Sequence, residues 1–183
     1  MTRIPDLDPA AMTPEQRRVH DMIASGPRGL VQGPLRVWLH SPALAERAQA
    51  LGAFCRYGSS LPPRLSELAI LITGAFWQAG FEWHVHAPIA IKAGIDPAVA
   101  AAIRIGATPV FAQEDEAAVH QFATELLRTR TVTEAGFARV RAALGDEGVV
   151  DLVAVLGYYG FISMTINAFA VPLPEGAADP FAA

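Results

Sequence analysis

Glu67, Glu82, His84 and His86 place two carboxylates and two imidazoles within twenty residues of mostly apolar sequence. Burying an unpaired charge is expensive, so a carboxylate in such a segment needs a partner or a raised pKa. Residues four apart on a helix share a face, which points Glu82 and His86 the same way. Glu82 falls in the first turn of its helix, where the helix dipole favours a negative charge. A carboxylate bonded to His86 would fix the tautomer of that ring and raise its pKa. Such a pair is suited to general acid–base work near neutral pH. Glu67 lies one helix earlier, and a turn of about three residues would make the two helices antiparallel neighbours. His86, Glu82 and Glu67 are therefore the expected catalytic residues, with Trp83 and His84 expected to shape or polarise the substrate pocket.

Plainer roles compete with these. A lone histidine on an apolar helix more often serves packing than chemistry, and His84 lies one face away from the pair. Trp83 is first of all packing material. His20, His40 and His120 stand apart in polar contexts and read as surface residues. Metal binding is a second use of Glu and His at this spacing, with Glu82, His86, Glu67 and His84 as the available ligands. Neither His-Glu-x-x-His nor any cysteine ligand supports it, so no metal and no cofactor are expected. Gly-rich phosphate loops and the Gly-x-Ser-x-Gly nucleophile turn are also absent from the sequence.

The elements that must hold these residues are all helical. Thr13-Pro14-Glu15-Gln16 opens a helix that ends near Ser25, before Gly26-Pro27. Residues 1–13 read as an extended arm. Residues 26–34 form a Gly/Pro loop of the kind that often borders a binding site. Further helices are expected from Ser41-Pro42 to Gly58, from Arg64 to about Gln78, and from near Phe81 to Gly94 with Pro88 inside. Others follow from Asp96-Pro97 to Gly106 and over 114–129, 133–144 and 147–170. Pro88 leaves the carbonyl of His84 without its helical donor, so the helix should bend just past the cluster. No strand alternation of useful length exists, and the chain reads as one all-α domain over 1–183.

With 183 residues, 52% apolar and 17% charged, the chain carries more core material than an average domain. Homo-oligomer interfaces would absorb the surplus. The net charge of −4 comes with scattered Lys and Arg, so no basic stripe exists for nucleic acid. The single cysteine, Cys55, allows no internal disulfide and no Cys-x-x-Cys pair. The opening residues lack the apolar run of a signal peptide, which makes the cytoplasm the expected location. Gly148 to Val171 is nearly long enough for a membrane span, but it carries Asp151, two tyrosines and Asn167 and lacks basic flanks. A core or interface helix is the better reading, with no membrane partner.

Arg64-Leu-Ser-Glu67-Leu-Ala-Ile-Leu, Glu82-Trp83-x-x-His86 and Ala90-Ile-Lys-Ala-Gly94-Ile resemble the carboxymuconolactone decarboxylase/alkylhydroperoxidase D-like superfamily. Tyr158-Tyr159-Gly-Phe161 through Asn167-Ala168 is a weaker match to its closing helix, and the resemblance covers about residues 42–170. It implies an all-α helical bundle assembled as trimers or hexamers. The peroxidase branch carries Glu, then Cys-x-x-Cys, then His, and those cysteine positions are Ala79 and Glu82 here. A dithiol cycle needs an attacking and a resolving thiol, so this chemistry is not expected. The decarboxylase branch pairs Glu with His four residues on, as Glu82 and His86 do. The resemblance then implies a cofactor-free lyase using His86 as general acid–base on a small lactone or cyclic organic acid in aromatic catabolism. A non-catalytic small-molecule binder and a metal-dependent lyase or hydrolase are the alternatives.

Overall fold

Proline starts five of the helices: α1 (Pro14–Ser25), α2 (Pro34–Trp38), α3 (Pro42–Ala53), α4 (Pro63–Phe76) and α6 (Pro97–Arg104). The ring is already set near helical φ, and the missing N–H has no partner to lose at that position. The others are α5 (Gly80–Lys92), α7 (Glu114–Thr129) and α8 (Glu134–Phe169). The computed structural model describes residues 2–182, and no strand occurs among them. The all-α expectation is met.

Thr13 closes a full capping box at the start of α1. Its hydroxyl accepts from the Gln16 N–H at 3.2 Å, and the Gln16 side chain accepts from the Thr13 N–H at 3.0 Å. The N-terminal arm is pinned rather than free. Arg3 donates to the carbonyls of Phe169 and Ala168, and Asp6 pairs with Arg36 at 2.6 Å. A short 3-10 turn at Pro9–Ala11 interrupts it. The helix α2 starts at Pro34, the last residue of the expected Gly/Pro loop, and runs on through residues for which no helix was expected. The helix expected to reach Gly58 leaves α geometry after Ala53 and becomes a π-turn, Phe54–Gly58.

The centre of the fold is α4. Every residue from Leu65 to Gly74 is buried, as expected of a helix apolar on all sides. It packs against α5, α6, α7 and α8. Arg64, at its start, bonds the buried Glu116 and pairs with Asp115 at 2.7 Å, which ties α4 to the first turn of α7. The turn between α4 and α5 is three residues long. Gln78 adopts the left-handed conformation (φ 49°), and the Ala79 N–H returns to the Gly74 carbonyl at 2.9 Å, a Schellman-type closure. Asn167 of α8 clamps the same turn by donating to the Trp77 carbonyl at 2.7 Å.

Gly145 breaks the regularity of α8 with φ 71° and ψ 176°, between the two helices expected at 133–144 and 147–170. Beyond it, α8 is apolar enough to cross a membrane by composition, but 61% of its most apolar stretch is buried inside the fold. Asp151 within it accepts from both the N–H and the hydroxyl of Ser60, at 2.7 and 2.8 Å, which accounts for a carboxylate in that segment.

Candidate active site

Glu67 meets His86, and Gly74 faces Glu82, so earlier residues of α4 meet later residues of α5. The two helices are therefore antiparallel, as a three-residue turn requires. The imidazole Nδ1 lies 2.7 Å from Glu67 Oε2 in a buried hydrogen bond. On the other side, Nε2 lies 3.0 Å from Glu82 Oε1. That second contact is electrostatic, because Oε1 is buried yet not aligned for a hydrogen bond. All three side chains are buried, at 6%, 5% and 3% exposure for Glu67, Glu82 and His86.

Burial alone would push the imidazolium pKa down. The charge of Glu82 and the hydrogen bond that the ring donates to Glu67 outweigh burial and raise it to about 9. His86 is thus a cation between two carboxylates at neutral pH. The carboxylates approach opposite ring nitrogens, so the three groups form a chain and not a shared coordination point, and no metal-ligating cluster of three occurs among the described residues.

Glu82 and His86 line a cavity of about 50 Å³, together with Arg28, Gln32 and Arg56 and with Tyr158 and Tyr159 of α8. Glu67 stands behind the imidazole and does not reach it. Tyr159 presses its ring edge-on to His86, with centroids 5.2 Å apart. Burial holds its phenol, and that of Tyr158, above the ordinary tyrosine range. Gly33 lets the preceding loop close onto Phe81, where a Cβ would overlap the ring. A larger hollow of about 590 Å³ lies beside α6 and α7, but none of the three site residues borders it.

Two expected pocket residues are elsewhere. Trp83 is buried against Phe181 of the C-terminal segment, ring edge to face at 5.5 Å, and does not line the cavity. His84 is exposed to solvent. Positions 83 and 84 are one and two residues past Glu82, so helical rotation of about 100° each carries them off its face. His20 and His40 lie at or near the surface, whereas His120 is partly buried beside Phe111. The residues missed by the sequence reading are Arg28 and Arg56. Arg28 falls in the Gly/Pro loop at 26–34, which does border the cavity, whereas nothing in the local sequence marked Arg56.

Thiol chemistry has no residue here. Ala79 is the buried residue preceding α5, and Glu82 occupies the cavity wall. Cys55 is buried, and burial with the nearby charge of Asp151 pushes its thiol up to about 11.

Residues 42–125 match the model of the carboxymuconolactone decarboxylase family. Over that stretch the chain is similar to the carboxymuconolactone decarboxylase family, in keeping with the resemblance carried by Glu67, Glu82 and His86. Solved structures share the fold over nearly the whole chain. An alkylhydroperoxidase AhpD core protein from Ralstonia eutropha, described as peroxidase-related, is 18% identical with a TM-score of 0.77, over 98% of this chain and 94% of its own. A peroxidase-related protein from a Silicibacter species is 16% identical with a TM-score of 0.75, over 95% and 92%. A cysteine-to-alanine variant of the debrominase Bmp8, in complex with 2,3,4-tribromopyrrole, is 16% identical with a TM-score of 0.73, over 93% and 90%. No curated protein matches the sequence significantly.

Proposed function

We propose that this protein is a cofactor-free lyase that performs acid–base chemistry on a small lactone or cyclic organic acid. The observation that carries the reading is the buried chain Glu67–His86–Glu82, open to a cavity only at its Glu82–His86 end. Both ring nitrogens of His86 face carboxylates, which alters the roles expected from spacing alone. Glu82 is the group that exchanges the proton with substrate, His86 supplies it, and Glu67 holds the ring. In a decarboxylation the bond to the carboxylate carbon breaks and carbon dioxide leaves. The electron pair stays on the substrate as a dienolate conjugated to the ring carbonyl. Glu82 delivers a proton to that carbon while taking one from the His86 imidazolium, whose Nε2–H must first turn onto Oε1 3.0 Å away, and solvent reprotonates the ring afterwards.

The apolar residues exposed along one side of α8, Val150, Val153 and Met164, support a homo-oligomer, a trimer or hexamer, as part of the same reading. Light scattering on the purified chain tests the assembly. A cytoplasmic location without nucleic-acid or membrane partners completes it.

The test of the chemistry is carbon dioxide release from carboxymuconolactone and related lactone acids by wild type, Glu82→Gln and His86→Gln. Both variants should lose about 10²–10⁴ in kcat/KM. Unchanged turnover in either variant overturns the assigned roles. Tight binding of the acids without turnover by wild type favours the non-catalytic alternative, and activity abolished by a chelator favours the metal-dependent one.

A further inference from the structure

The cavity beside Glu82 and His86 holds two arginines that the acid–base reading does not use. Arg28 comes from the loop after α1, and Arg56 from the π-turn after α3. Among the described residues neither forms an ion pair, whereas the other partly buried arginines, Arg36, Arg64 and Arg139, all do. Both are partly buried. The Nε of Arg28 is buried without a hydrogen-bond partner, and one terminal nitrogen donates to the Tyr158 hydroxyl at 3.3 Å. The guanidinium of Arg56 lies over the Tyr57 ring at 5.3 Å.

The fold makes room for this arrangement. A Cβ at Gly52 of α3 would overlap the Tyr158 hydroxyl and crowd the Arg28 guanidinium. Tyr158 is fixed in turn by the edge of Trp38, 6.2 Å away, whose indole N–H donates to Thr165 at 3.0 Å. A partly desolvated guanidinium without a carboxylate costs stability unless an anion completes it. The charges agree with an anionic ligand, because Arg28 and Arg56 add two cations to a cavity in which the carboxylate of Glu82 already faces the His86 ring.

Resting on the acid–base reading of the same site, we propose that Arg28 and Arg56 form an anion subsite that binds a carboxylate of an organic acid beside Glu82. Tyr158 orients Arg28, and the planar fork of a guanidinium matches the two oxygens of a carboxylate. A cavity of about 50 Å³ has room for only a few water-sized groups, so the carboxylate end enters and a bulky remainder stays at the mouth. The subsite explains how a cavity walled by Glu82 accepts an acid at all, since without the arginines two like charges would face each other.

The probes are 2-furoate and its neutral isostere 2-furamide, titrated by calorimetry and by ¹H–¹⁵N NMR into wild type, Arg28→Gln, Arg56→Gln and Glu82→Gln. Wild type should bind the carboxylate at least about tenfold more tightly than the amide, with shifts at residues lining the cavity. Each arginine variant should lose about tenfold for 2-furoate and little for 2-furamide, with an unchanged thermal midpoint showing an intact fold. Arg56→Lys should recover part of the loss. Equal affinity for the two probes, no measurable binding of 2-furoate, or unchanged affinity in both folded arginine variants overturns the subsite. Glu82→Gln separates the two readings: it removes the proposed proton donor yet should bind 2-furoate as tightly as wild type or more so. Carboxylate preference that survives in a Glu82→Gln enzyme with full turnover would sink the acid–base roles and leave the subsite standing.

Discussion

Glu67 and His86, nineteen residues apart and on different helices, share a buried 2.7 Å hydrogen bond. That bond turns the ring so that its other nitrogen faces Glu82 at 3.0 Å. The charge of His86 is then a property of the α4–α5 contact, and its titration reports on that contact directly.

The imidazole should titrate near pH 9 in the folded protein, against about 6.5 for an unperturbed ring. A folded pKa above the unfolded value stabilises the fold fully below about pH 6.5. This stabilisation is lost as the pH rises from there through 9. Urea denaturation between pH 6 and 10 should show wild-type stability falling across that window, with a flatter profile in His86→Gln. Glu67→Gln should lower the NMR midpoint of the ring, and a wild-type midpoint at or below 6.5 would contradict the geometry.

Arg64→Ala should destabilise the fold by about 3 kcal/mol, because it strands the carboxylate of Glu116, which is only 3% exposed. Denaturant midpoints measure it. The double variant Arg64→Ala/Glu116→Gln should recover part of the loss, since no buried charge is then left alone.

Gln78→Gly should stabilise the protein by up to about 1 kcal/mol, since φ 49° places a non-glycine residue in the left-handed region at the end of α4. Thermal unfolding decides it, and a lower midpoint would mean that the Gln78 side chain contributes more than the backbone costs.

Gly52→Ala should cost about 1–3 kcal/mol and weaken 2-furoate binding together, because the added methyl displaces Tyr158 from Arg28. A folded Gly52→Ala protein with wild-type affinity would show that Tyr158 does not orient that arginine.

Cys55 should react slowly with a thiol reagent at pH 7 in the native state and quickly in urea. Its thiol is buried and pushed up to about 11, by desolvation first and by Asp151 second. Rapid native labelling would reopen thiol chemistry at this site.

Proline and glycine positions announced most of the helices, because both act through the local backbone. Thr13-Pro14 and Asp96-Pro97 begin helices, and Gly145 separates the halves of α8 where the composition suggested a boundary. The short helix α2 and the π-turn escaped, since five-residue elements carry too little periodicity to read and depend on packing against neighbours.

The sequence alone determined that Glu82 and His86 share a helix face, that Glu67 stands on the adjoining helix, and that no dithiol exists. Spacing of four and a three-residue turn leave little geometric freedom. Tertiary structure decided what surrounds them. It turned Trp83 toward Phe181 and His84 to solvent, and it brought Arg28 and Arg56 to the cavity from positions 58 and 30 residues before His86. Only packing among α3, α5 and α8 sets which distant side chains converge, and no local pattern encodes that convergence.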